Sequence, residues 1–521
     1  MATFTEAYTQ LKDRFDVIVK TEYARLVQNM VTEASTDPTD REQSSEKMVA
    51  LAGRVQELIS APDLKGLIAT AEAGASLLSP DDQRNLAQMK TFWVGRVALP
   101  AELSTELATL EAEGSTIHSK NKPTGDWSKM QPWIQHSFDI MRNVGILKQQ
   151  ATGAESVYEA LLQHFSPGLS AKSVAEQMDV LERHLPKLIH DAAEHQKTLP
   201  PPIPLTGPFP WEQQLELNMR VAKALGFDFS RGKLDMIVDS PSCDGSRADT
   251  RLTTDFIEND FLNAVYSTAH ETGHGFYRQN TPEAWYGQPG GMTMGMHIDE
   301  SMSRLFEVYA CGTPEFFQWL EVQAREVFNR PDDPALSAEN LYRLKTKAEP
   351  SFIRVYADEL TYPAHILLRY QLERDVINEK IDPKDLPEIW NQKMQELLGI
   401  TPPTNTQGCM QDVHWPVGYI GYFPAYGMGN VGAAQFYQAA LKAHPEIPTE
   451  IAKGNFKPLT DWLKENVHAK GSLYTADEVF VQATGESLTA KHYLDHLSVK
   501  FTGKKFDAPS GGPSTTIKNA L

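Results

Sequence analysis

The sequence predicts a mainly α-helical protein with one small patch of sheet, and three features predict it. From residue 1 to about 200, apolar side chains such as Phe4, Tyr8, Leu11 and Phe15 recur every three or four positions, the spacing that lines one face of a helix. Short β-like runs around a Gly/Ser/Asp turn occur convincingly in one place, residues 233–255. Helical periodicity then returns and persists to about residue 500, apart from loops expected around 284–295 and 401–433.

Taken in order, ESVYEALLQHFSPGLSAKSVAEQMDVLERHLPKLI reads as a helical hairpin with SPGLS as its turn and Ser170 or Ser173 capping the second helix. TLPPPIPLTGPFP, residues 198–210, cannot be regular helix, because proline removes a donor and biases its neighbour to extended backbone. We read it as a rigid loop crossing one body rather than a domain linker, since flexible linkers are Gly/Ser-rich. The helix WEQQLELNMRVAKALGF follows, and then KLDMIVDSPSC and ADTRLTTDF form a hairpin candidate around SCDGS. Residues 1–504 are expected to make one body, and the Gly/Pro/Ser-rich 505–521 a flexible tail.

Composition narrows the function. A net charge of −19 with no basic stripe argues against nucleic acid as a partner. No apolar run is long enough to cross a membrane, and the first twenty residues lack the apolar core of a secretion signal. Three widely spaced cysteines suit a reducing compartment, so a soluble cytoplasmic protein is expected.

The chemistry concentrates in HETGH. On a helix His270 and His274 stand one turn apart on one face, the geometry two imidazoles need to grip one metal ion, and Glu271 is placed as general base. A catalytic zinc wants a third protein ligand and an open position. MHIDESMSRLFEVYA reads as a second helix, and Glu300 is well placed on it, with Asp299 and Glu307 as alternatives.

Six motifs follow one another along the chain: DTRLT at 249–253, HETGH at 270–274, ESMSR at 300–304, IRVYADELTYPAHILLRY at 353–370, GCMQDVHW at 408–415 and GYFPAYGMGN at 421–430. In this series the sequence resembles the M32 metallocarboxypeptidases of the carboxypeptidase Taq type, most strongly from about 230 to 440. The resemblance implies two helical lobes flanking a deep cleft with a small sheet, like the neurolysin and angiotensin-converting-enzyme peptidases. It also implies a homodimer, and one divalent ion per chain, zinc with cobalt or manganese as alternatives. Under it Glu300 becomes the third ligand, beside His270 and His274. His414 and Tyr422 become catalytic candidates and Tyr426 a substrate-binding one, on a Gly- and aromatic-rich loop beside the metal. Arg354 is brought to the cleft, where its guanidinium suits the free C-terminal carboxylate of a peptide, although a structural ion pair is its alternative. Arg251 either faces the groove or pairs with an acid, and Asp358, Glu359 and Tyr362 read as parts of a structural helix.

Two departures stand out. The family usually carries His before the ligand Glu, where this chain has Asp299, and HPF where it has DSP at 239–241. Asp239 and Asp299 therefore leave the preferred peptide length open. The alternative functions are an oligoendopeptidase of related fold, which needs no carboxylate receptor, and a noncatalytic helical scaffold, disfavoured because both histidines, Glu271 and Glu300 are all present.

Overall fold

A computed structural model describes residues 3–35, 37–97, 99–237 and 241–506. Asp239 and residues 507–521 of the expected tail lie outside the described residues. The protein is mainly helical with one three-stranded sheet. No helix among the described residues is long and apolar enough to cross a membrane.

The chain begins with a long helix, Phe4–Ala34, opened by a capping box in which Thr3 and Glu6 satisfy each other's backbone N–H groups. Its apolar stripe of Tyr8, Leu11, Phe15 and Ile18 packs with Ile59, Ile68, Leu86 and Met89 into a core of its own. The main core is built from later helices, and a small third cluster of Ala222, Phe227, Leu234 and Leu252 joins the sheet to helix Trp211–Ala224. The helical hairpin forms as Val157–Phe165 and Ala171–Gln196, and Ser170, not Ser173, is the cap. The proline-rich crossing has no regular structure and is tied to the body: Phe209 is buried, and the Asn340 side chain both accepts from Ile203 N (2.6 Å) and donates to Ile203 O (2.9 Å).

The sheet corrects the hairpin reading. Strands β1 (Gly232–Met236), β2 (Cys243–Gly245) and β3 (Thr250–Thr254) lie in the order β1-β3-β2, with β1 parallel to β3 and only β2 antiparallel to it. Pro241 cannot donate to a ladder, so the first apolar run does not continue into one strand. The tight turn lies instead between β2 and β3, where Ser246 N donates to Asp249 O (2.8 Å) after Gly245 at φ +121°.

Two helix boundaries also differ from expectation. Asp358 and Glu359 precede their helix, which begins at Tyr362 because the Asp358 carboxylate accepts from Leu360 N (2.9 Å) and Thr361 N (3.0 Å) and Pro363 suits a first turn. The glycine-rich stretch expected as loop to 433 is helical from Phe423 to Ala443. Its glycines serve close packing: a Cβ on Gly429 would stand 2.5 Å from Glu300 Cβ, and one on Gly432 2.3 Å from Ser301 Oγ. Gly273 of the HETGH helix meets the same neighbour from the other side, where a Cβ would lie 2.4 Å from Met302 O and 2.5 Å from Ser303 Cα. Because these are backbone atoms, Gly273→Ala is expected to lower stability by about 1–3 kcal/mol and to weaken metal retention. Thermal melting with metal analysis checks this, and an unchanged melting temperature would mean that the two helices separate freely.

Candidate metal centre

Helix Phe261–Gln279 carries HETGH, starts on an Asp260 cap that accepts from Leu262 N, and is buried along nearly its whole length. His270 and His274 project one turn apart, their ring centroids separated by 5.1 Å. Glu300 comes from helix Met296–Arg304, which the contact at Gly273 holds against the first helix. One ligand atom from each of His270, His274 and Glu300 lies within 4.8 Å of the others, and His270 Nε2 stands 3.7 Å from Glu300 Oε2.

The remaining ring nitrogens test whether this trio suits a cation. His270 Nδ1 lies 2.8 Å from Glu307 Oε2, and His274 Nδ1 lies 2.7 Å from Asp299 Oδ1. Each carboxylate takes the Nδ1–H, so that the neutral ring turns an Nε2 lone pair toward an ion. Ser303 Oγ donates to Glu300 Oε2 at 3.1 Å and holds that carboxylate. The donor set fits one divalent cation with a position left over. Asp299 and Glu307, alternatives for the third ligand on spacing alone, stand beside the histidine Nδ1 atoms instead of among the three converging ligand atoms.

Cations hold these orienting acids in the charged form. Burial alone would raise the Asp299 carboxyl, but Arg278 at 3.1 Å and His274 bring it down to about 2. Glu307 is also buried, yet Arg304 (2.6 Å) and His270 hold it well below the usual carboxylate range. Burial would depress His270, but the Glu307 hydrogen bond and the charges of Glu271, Glu307 and Glu300 outweigh it and push the imidazole up to about 9. Burial raises the Glu271 carboxyl against the opposing pull of both histidines. Arg278 and Arg304 were not singled out from the sequence. Each had a spacing signal, Arg278 four residues after His274 and Arg304 three before Glu307.

Helix Leu305–Ala310, which carries Glu307, has the wider π turn that recurs at functional sites, so the expected single helix from 296 to 310 breaks after Arg304.

The other candidates divide. Tyr422 and Tyr426 pack together with centroids 5.1 Å apart, burial with the Glu300 charge raises both hydroxyls, and Gly429, three residues after Tyr426, lies against Glu300. His414 joins them, its Nε2 at 3.4 Å from Tyr426 Oη; burial and the Arg354 charge lower it to about 3, so it is neutral. Arg354 is buried, donates from Nε to Asp412 Oδ1 (2.9 Å) and from Nη1 to Tyr362 Oη (3.3 Å), and lies over the Tyr426 ring at 5.4 Å. Asp412 also pairs with Arg369. The Arg354 Nη2 makes no hydrogen bond among the described residues. Arg251 takes the acid-pairing alternative, gripping Asp249 through Nε (2.6 Å) and Nη2 (3.0 Å). It alternates along β3 with Leu252, whose side chain meets Gly275 of the HETGH helix, so Arg251 points away from that helix.

Comparison with known proteins finds relatives along nearly the whole chain. The model of the family described as carboxypeptidase Taq (M32) metallopeptidase matches residues 19–501. Carboxypeptidase 1 of Bacillus subtilis (strain 168) is 32% identical over 507 residues, covering 95% of this chain and 99% of its own. Thermostable carboxypeptidase 1 of Thermus thermophilus is 31% identical over 468 residues, covering 88% and 91%. Among solved structures, Trypanosoma cruzi metallocarboxypeptidase 1 superposes with a TM-score of 0.92 at 29% identity over 95% of this chain and 99% of that one. The M32 carboxypeptidase from Deinococcus radiodurans R1 gives 0.89 at 28% identity over 96% and 100%.

Proposed function

This chain belongs to the carboxypeptidase Taq (M32) metallopeptidases, and from that premise we propose that it hydrolyses the C-terminal peptide bond of peptides with one divalent ion held by His270, His274 and Glu300 and with Glu271 as general base. The observation that carries the reading is the convergence of the three ligand atoms, two of them on imidazoles whose other nitrogens are taken by carboxylates. Two imidazoles and a carboxylate suit zinc, with cobalt or manganese as alternatives. When bound, the ion supplies Lewis-acid polarisation of the scissile carbonyl and lowers the pKa of water.

The protein's own groups do the rest. Glu271 takes a proton from the attacking water and passes it to the leaving amine, a task its raised carboxyl favours. Tyr422 and neutral His414 are positioned to donate to the developing oxyanion, and Tyr426 to bind the substrate backbone. Arg354, held by Asp412 and Tyr362, offers Nη2 to the terminal carboxylate. The same proposal includes a single two-lobed body of the neurolysin type over residues 1–504, a homodimer and a cytoplasmic location, for which family membership is the support. An oligoendopeptidase is not favoured, since the named relatives are carboxypeptidases.

Matched peptides with a free or an amidated C-terminus test the proposal. The free acid is expected to be cleaved far faster, and Arg354→Ala to cut its kcat/KM by about 10² by removing a charge-assisted contact. Equal cleavage of both peptides by the wild type would turn the reading to an endopeptidase. Retention of the preference in Arg354→Ala would dismiss the receptor alone.

A further inference from the structure

In a chain of net charge −19, two arginines share one carboxylate, and a lysine that feels the charge of one of them has no acid of its own among the described residues. Glu22 accepts from Arg25 Nε (2.9 Å) and Nη2 (3.0 Å) and from Arg96 Nη2 (3.0 Å), so the two arginines occupy both of its oxygens. The third cation is Lys148, on helix Trp127–Thr152, which is 7% exposed. Its ammonium touches no acid among the described residues. Its one hydrogen bond there is to His164 Nδ1 at 2.8 Å, and two of its three N–H groups remain unused. Glu111, the other acid nearby, is exposed and acts on Arg25 rather than on Lys148. A buried ammonium without a counter-charge is costly, and burial together with the Arg96 charge lowers Lys148 to about 8. An anion held there would offset that cost.

The spot is reachable, and ring contacts link it to the candidate metal centre. His164 is exposed. The next residue, Phe165, packs edge-on against Tyr422 at 5.0 Å, and Tyr422 packs on Tyr426 beside Glu300. A peptide lying along these rings would pass the cationic cluster.

We propose that Lys148, Arg96 and His164 form a carboxylate-binding subsite of the peptide groove, additional to Arg354. The proposal rests on the carboxypeptidase reading of the site. An ammonium hydrogen-bonded to an imidazole, within the field of a guanidinium, takes a carboxylate, and a peptide supplies one from either of two sources, an acidic side chain or its own C-terminus.

The test compares wild type, Lys148→Met and Arg96→Gln on two sets of peptides: Glu against Gln at each of the last several positions, and free acid against amide at the end. The acid-to-amide ratio of kcat/KM is expected to fall about tenfold or more in both variants at one position and to stay at its wild-type value at the others. Collapse at an upstream Glu makes the source a side chain, and collapse at the free end makes it the terminus. Wild-type ratios at every position in both variants would overturn the subsite. If Lys148→Met does not fold, as thermal melting reports, Arg96→Gln decides. If the wild type cleaves no peptide, the carboxypeptidase reading fails by itself. Calorimetric binding of an uncleavable Glu-containing peptide and its Gln counterpart to the same proteins then decides the subsite, which falls if the variants keep the wild-type difference.

Discussion

Glu271→Gln is expected to keep the metal and the fold and to lose about 10² or more in turnover. Glu271 is buried on the HETGH helix directly after one ligand and one turn before the other. The amide fills the same space, so the helix and its neighbours have no reason to move. What it lacks is a basic oxygen. Burial raises the Glu271 carboxyl, which makes the carboxylate a better proton acceptor than an exposed one, and glutamine removes that property entirely. Steady-state kinetics on free-acid peptides, with metal content measured on the same sample, separates the possibilities. Near-normal turnover would place the base elsewhere. Loss of the ion along with activity would make Glu271 a ligand.

The parts of this site that the sequence revealed are those set by local geometry. His270 and His274 were legible because a spacing of four on a helix has one spatial outcome. Ser170 was one of two candidate caps for the same kind of reason, and a short-range hydrogen bond decided between them. Glu300 was harder, since 26 residues and a glycine-rich loop separate it from His274, and nothing in that spacing distinguishes it from Asp299. The roles of the three acids on this segment depend on how two helices approach, and that approach is set by Gly273.

Glycine also explains the clearest misreading. A run such as GYFPAYGMGN permits a mobile loop or a helix with a flat face, and composition does not choose between them. The choice is made by Glu300 and Ser301, which press against Gly429 and Gly432 from far away in the chain. The parallel pairing of β1 with β3 was hidden for a related reason. Local signals favour hairpins, while the register Leu234 with Leu252 follows from the cluster they share with Ala222 and Phe227. The Lys148 cluster left no trace at all, because Arg96, Lys148 and His164 come from three separate helices and each looks like an ordinary surface residue in its own segment.

Removing a ligand should have the other large effect: His270→Ala and Glu300→Ala are each expected to abolish stoichiometric metal binding. In the proposed site three donors would share the ion, and loss of one would leave two with an extra open position. Glu307→Gln and Asp299→Asn leave His270, His274 and Glu300 in place while disturbing the orientation of the histidines and the ion pairs to Arg304 and Arg278, so they should cost stability and the smaller factor of about 10 to 100 in affinity. The order of these effects tests the assignment, since interchange of Glu300 with Asp299 or Glu307 as ligand would reverse it. Proton competition adds a second signature. In the metal-free protein His270 is raised to about 9, so at neutral pH its ring carries protons on both nitrogens. The proton on Nδ1 stays with Glu307, and the one on Nε2 must leave before an ion can bind. Apparent affinity should therefore rise with pH, by about tenfold per unit up to about pH 9, with about one proton released per ion on account of this ring. Titration of the metal-free protein in buffers of different ionisation enthalpy measures that release. Affinity that falls as pH rises toward 9 in the wild type, or full retention of metal by both His270→Ala and Glu300→Ala, would dismiss these residues as the ligands.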